Sequence, residues 1–232
     1  MADHKSLRLS PVLLFVGLLL FVGITALHPG GDAINHPAVF AEYAASPQWD
    51  PVHLGEFAGM VVTISGLLAL VFAFNTQQRT PGLVGWLAAI LAVAALALYG
   101  VLQAVDGVAL KRAVDAWVSA PEAEKAARFA SAEAIRWLEE GVRSYQDVLP
   151  GLAIIFLAIM VVEAASSLQP IGYLMGLSGI FYLAQGFVLS FEGFSGIETL
   201  TIIIAEILTI IWIIWLLVVA WRIKRPVIAS TG

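Results

Sequence analysis

Cysteine is absent from all 232 residues. Disulfides, thiolate metal sites, iron–sulfur clusters and cysteine nucleophiles are therefore excluded. Charge is scarce as well: Asp, Glu, Lys and Arg make up 12% of the chain, about half the share of a soluble domain. Several signatures are also missing. There is no P-loop, no Gly-x-Ser-x-Gly elbow, no dinucleotide fingerprint and no basic groove for nucleic acid. No stretch is low in complexity. The two halves share no motif, and His53-Leu-Gly-Glu56 has no counterpart in the later half. That weakens the inverted-repeat pattern of secondary transporters.

What remains is apolar. Hydrophobic residues reach 60% and the mean hydropathy is +0.90, too little polar surface to coat a water-facing sphere, so lipid must solvate the outside. Six runs, at residues 11–27, 53–74, 83–105, 148–167, 171–190 and 197–221, approach or exceed the roughly 20 helical residues needed to cross a hydrocarbon core. They are continuous rather than alternating, which argues against a β-barrel. The expected fold is an all-α, polytopic transmembrane helix bundle of six spans in a single membrane domain. The basic start before the first run also fits a signal peptide. That run is long for an h-region and no Ala-x-Ala site follows, so it reads as a retained span.

Lys5, Arg8, Arg79, Arg222, Lys224 and Arg225 fall on one side if six spans alternate. By the positive-inside rule both termini are cytoplasmic, in a bacterial inner membrane. Segment 106–147 strains that assignment, since it carries six basic and eight acidic residues on the outer side. Leu110, Ala113, Val114, Trp117 and Val118 share one helical face there. Pro121, Glu122 and Glu124 read as a new helix start. Ala134, Leu138, Val142, Tyr145 and Leu149 form a second apolar stripe, with Glu139–Arg143 as an i,i+4 pair on the wet face. Segment 106–147 is thus expected to form a charged helical hairpin, capping the bundle or docking a partner subunit. Residues 28–52 read as a polar loop.

Ionisable residues inside spans are functional candidates, because hydrocarbon penalises charge. Glu206 lies near the middle of the last span with no Lys or Arg at its depth. It is expected to be a neutral structural carboxyl or a proton or ligand site. Glu163 sits nearer the cytoplasmic end of the fourth span. Gln103, Gln185 and Glu198 lie toward the outer ends of spans three, five and six, and with Glu56, Tyr182 and Glu192 are expected to line a vestibule. A second constellation comprises His28, His36, His53 and Glu56, all on the outer side, with His53 and Glu56 on one helix face. Imidazoles with a carboxylate match a divalent metal such as zinc, or a haem axial ligand. The competing reading is interfacial histidines with ordinary structural roles. Gly55-x-x-x-Gly59 and Gly172-x-x-x-Gly176 are close-packing motifs. Trp49, Trp86, Trp137 and Trp221 are expected in aromatic belts.

The stretch from Leu149-Pro-Gly-Leu to Gly186, with the turn Gln169-Pro-Ile-Gly-Tyr-Leu-Met-Gly, resembles a broad group of small, uncharacterised bacterial six-span membrane proteins. His28-Pro-Gly-Gly31 and Trp49…His53-Leu-Gly-Glu-Phe57 carry the same resemblance. It implies a six-span fold and transfers no residue role.

The absence of catalytic motifs makes a non-enzymatic membrane component the leading expectation: a subunit or a small-molecule or lipid binder, in contact with membrane lipid and with protein partners. A proton- or ion-coupled transporter using Glu206 is the first alternative. A metal- or haem-dependent enzyme at the outer ends of spans one and two is the second.

Overall fold

The computed structural model describes residues 4–75 and 82–222. Arg79, Pro81, Lys224 and Arg225 lie outside the described residues, as does the side chain of Lys5. Every element among the described residues is helical, with no strand. They are α1 (His4–Thr25), α2 (His36–Ala45), α3 (Trp49–Asn75), α4 (Leu83–Gln103), α5 (Lys111–Val118), α6 (Glu122–Ala164), α7 (Gln169–Glu192) and α8 (Gly196–Arg222). Between α4 and α5 runs a π-helical stretch, Ala104–Leu110. Six of these segments are long and apolar enough to cross a membrane. The chain is a multi-pass membrane protein built as an all-α bundle.

The six spans close into a ring. α1 packs on α3, α3 on α4, α4 on α6, α6 on α7, α7 on α8, and α8 returns to α1. Neighbours in sequence are neighbours in space, as short connections favour. Glycines set the tightest approaches. A Cβ on Gly59 would meet the backbone N of Phe21 at 2.9 Å, so α1 and α3 touch backbone to backbone. A Cβ on Gly179 would lie 2.7 Å from the carbonyl oxygen of Gly151, which locks α7 onto α6. Such small-residue seams replace the hydrophobic effect, which is weak between helices in lipid. The outward faces, including Leu19, Phe72, Ile90, Ile180 and Ile207, remain exposed apolar surface, suited to lipid.

α6 has 43 residues, a rod of about 65 Å against a hydrocarbon core of about 30 Å. Roughly half of it projects beyond the core, where it packs against α5. Together they form the helical hairpin, stacked on the ring rather than separated from it. Pro150 lies inside α6 and removes the donor that would pair with the Gln146 carbonyl.

Four local expectations need correction. Residues 28–52 are not simply a loop, because α2 lies within them, N-capped by the Asn35 side chain and opened by Pro37. The third span does not stop near 105; helix runs on without a break from Leu83 to Val118. The stripe assigned to α6 is inverted, since Leu138 and Tyr145 are exposed while Arg136, Glu139, Ser144, Gln146 and Asp147 are buried. Glu139 is therefore not on a wet face. It is fully buried, with Arg136 Nη1 donating to it at 2.6 Å and Arg143 3.9 Å away. Trp49 is buried too, not part of an interfacial belt.

Candidate functional site

The ring encloses a cavity of about 190 Å³ lined by all six spans. Along α1 its lining extends from Thr25 to Leu14, about 16 Å at 1.5 Å per residue. Its end near the hairpin is polar, with Glu56, Gln103, Asp106 and Arg143. Gln146, Asp147, Gln185 and Glu206 continue along it, and Leu14, Leu67, Trp212 and Ile213 add apolar wall.

Two imidazoles converge on Asp106, the carboxylate that lines the polar end. One nitrogen or oxygen from each of His28, His53 and Asp106 lies within 4.8 Å of the other two. His28 sits in the loop after α1, His53 in the second turn of α3, and Asp106 in the π-helical stretch. The tautomers follow from the hydrogen bonds. Nδ1 of His28 is 2.9 Å from the Pro29 carbonyl oxygen, and Nδ1 of His53 is 2.8 Å from that of Trp49. A carbonyl only accepts, so both Nδ1 atoms carry hydrogen. In the neutral rings each Nε2 then holds a free lone pair. His53 Nε2 faces Asp106 Oδ2 at 3.2 Å, an acceptor opposite an acceptor unless a proton or a cation lies between them.

The π-helical stretch makes this possible. An i→i+5 turn shifts the helix register and places Asp106 and Gly107 against α3. π-bulges of this kind are frequent at functional sites. Gly107 is required, because a Cβ there would lie 2.8 Å from His53 Cβ and 2.9 Å from its Cγ. The Trp49 indole N–H donates to the Gly107 carbonyl at 2.9 Å, tying α3 to the stretch.

An aromatic roof covers the imidazoles. The His28 ring contacts those of His53 at 5.1 Å, Trp49 at 5.1 Å and Tyr43 at 5.9 Å between centroids. Beyond them α2, α5 and α6 contribute Phe40, Trp117 and Phe129 to the same apolar cluster. Burial pushes the Tyr43 phenol up to about 12. Burial also lowers the pKa of His28, against the opposing pull of Asp106 and the Pro29 carbonyl.

The residues singled out from sequence divide clearly. His28 and His53 come together. His36 does not join them: its Nδ1 pairs with Glu133 at 3.0 Å and ties α2 to α6. Glu56 lines the cavity and accepts from Thr25 Oγ1 at 2.8 Å and Gln103 Nε2 at 3.4 Å. Gln185 and Glu206 line the same cavity. Glu198 is buried beside it and accepts from Gln185 Nε2 at 3.0 Å. Tyr182 is in the lining. Glu163 and Glu192 are exposed near helix ends.

Sequence reasoning missed Asp106, Arg143 and Asp147, all assigned to the charged outer segment. The available signal was that Asp106 follows Gln103 by three residues on an unbroken apolar helix. The imidazoles touch edge to face, leaving no slot for a porphyrin plane between them, so the cluster suits a single ion rather than bis-histidine haem. No protein-family model matches this chain, and no curated protein or solved structure matches it either.

Proposed function

We propose that this chain is a metal-dependent membrane enzyme of the hydrolase class. A zinc-class divalent ion would be held by His28, His53 and Asp106, of which Asp106 lines the head of the cavity. One observation carries the reading: each histidine commits Nδ1–H to a backbone carbonyl, His53 Nε2 faces Asp106, and a ligand nitrogen of His28 lies within 4.8 Å of both. Metal-ligating histidines are oriented by just such second hydrogen bonds. Two imidazoles and a carboxylate are a zinc-type ligand set that leaves a fourth position for water or substrate. Neighbouring ligand atoms in a tetrahedral site are about 3.4 Å apart; the 3.2 Å between His53 and Asp106 is already near that.

The ion would lower the pKa of its water to about 7 and polarise a carbonyl. Glu56, fixed by Thr25 and Gln103, is the second carboxylate at this end and serves as general base. It takes the proton of the attacking water and returns it to the departing oxygen or nitrogen. The acyl–heteroatom bond breaks, giving a carboxylic acid and an alcohol or amine.

Metal analysis of protein purified in mild detergent without chelator tests the reading. One zinc-class ion per chain is expected, falling to background in His53→Ala and Asp106→Asn. Zinc-loaded protein is expected to hydrolyse short-chain aryl esters or anilides, and chelated protein is not. Substoichiometric metal in the wild type, equal to that of His53→Ala, would end the proposal.

A second reading draws on the same space. Asp106 and Glu206 line one cavity, the placement a proton- or ion-coupled carrier requires. Its distinguishing sign is coupled flux in proteoliposomes that Glu206→Gln abolishes.

A further inference from the structure

We infer that the inner part of the cavity binds a protonated amine, a small organic cation with an apolar body. This rests on the cavity being the substrate pocket of the metal reading, and it names the class of molecule the pocket takes.

The first observation is which polar atoms lack partners. Gln185 gives its N–H to Glu198, so its amide orientation is settled and Oε1 is left over. Gln103 gives its N–H to Glu56 and leaves Oε1 in the same way. Gln103 Oε1, Gln185 Oε1, Asp106 Oδ1 and Asp147 Oδ2 are buried without a hydrogen-bond partner, and all four residues line the cavity. Gln185 is 1% exposed and Asp147 7%. Every one of these atoms is an acceptor. Two donors in the lining are used elsewhere: Thr25 Oγ1 on Glu56 and Trp212 Nε1 on Ser178. A guest that brings N–H or O–H groups satisfies the four acceptors.

Charge decides between water and a cation. Glu56, Asp106, Asp147 and Glu206 face the cavity against one guanidinium, that of Arg143. With all four ionised they exceed the guanidinium by three charges, one more than a divalent ion at the histidines would offset. Arg143 is also drawn toward Glu139, 3.9 Å away and outside that lining. Buried carboxylates left uncompensated are strongly unfavourable. An ammonium group supplies both the missing charge and up to three donors. Tyr182 and Trp212 are aromatic members of the same lining, a residue type that attracts cations, while Leu14, Leu67 and Ile213 supply apolar wall for the body.

The test compares three probes of one shape: 2-phenylethylamine, 2-phenylethanol and phenylacetate, titrated by calorimetry at neutral pH into detergent-purified protein. The amine is expected to bind at least tenfold more tightly than the alcohol, and phenylacetate not at all. Asp147→Asn and Glu206→Gln are each expected to weaken the amine at least tenfold and leave the alcohol unchanged. The wild-type series stands alone if either variant fails to fold. Equal affinity for amine and alcohol, or tighter binding of phenylacetate, overturns the inference, because the carboxylates are then neutralised by protons instead. Each titration is run on zinc-loaded and on chelated protein. Amine binding with no bound metal removes the enzyme proposal alone; bound metal without amine preference removes this inference alone.

Discussion

The Nε2 atom of His53 lies 3.2 Å from Oδ2 of Asp106, joining the second turn of α3 to a π-helical stretch 53 positions later. Both atoms are acceptors in the tautomer set by Trp49, so a positive species between them is required. A proton makes an ion pair; a metal also recruits His28.

That choice has a thermodynamic consequence. Zinc that binds only the folded chain stabilises it by about 2.7 kcal/mol at a hundredfold excess over Kd. Wild-type protein in detergent is expected to show a higher melting temperature on zinc addition, while His53→Ala shows none. A wild-type melting curve indifferent to zinc argues for the plain ion pair.

Gly107→Ala places a methyl against His53, 2.8 Å from its Cβ. Overpacking of this kind costs about 1–3 kcal/mol. It is expected to displace the imidazole and lower metal content without emptying the bundle of helix, as followed by circular dichroism. Normal metal content in this variant would show that α3 and the π-helical stretch move apart freely.

Arg136 and Glu139 are 4% and 0% exposed and bonded at 2.6 Å. The guanidinium also lies 4.1 Å from the centroid of the Phe194 ring. Arg136→Met strands the Glu139 carboxylate, at a cost of about 3–5 kcal/mol. The double variant Arg136→Met/Glu139→Gln is expected to recover much of that loss in a thermal melt. Additive losses would refute the pairing as the source.

Tyr43 supplies a pH dependence. Its folded-state pKa is pushed from 10.0 to about 12 by burial. The folded state then holds a proton that the unfolded state releases above about 10, so this contribution to stability is full below pH 10. It is lost as pH rises toward 12. Two pH units correspond to about 2.7 kcal/mol. Tyr43→Phe is expected to flatten the alkaline limb of the stability curve; an unchanged limb would place the phenol in contact with solvent.

Gly179→Val sets a branched side chain against the Gly151 carbonyl, which a Cβ alone would approach at 2.7 Å. The α6–α7 seam cannot widen without losing its backbone contact. The yield of monodisperse protein from membranes is expected to fall severely. Wild-type yield would mean that other contacts hold this pair.

How much of this was legible in sequence varies by level. The spans were, because each is a long apolar run whose cost of exposure to water is set by composition alone. The carboxylates and amides Glu56, Gln103, Gln185 and Glu206 stood out because polar groups within such runs are conspicuous. The pairing of His28 with His53 was half visible as three histidines in one interval. Asp106 was hidden among the charges of 106–147, and the polar face of α6 was mistaken for its wet side. In water a helix turns its charges outward, and the stripe at 134–149 was read by that rule. Inside this bundle the rule reverses: Asp147 lines the polar cavity, and Arg136 and Glu139 are buried against each other. The sequence by itself determined a six-span all-α membrane protein, since hydropathy and length suffice for that. Only the tertiary structure decided which polar residues meet, because that depends on ring closure and on one π-helical stretch that rotates Asp106 onto His53.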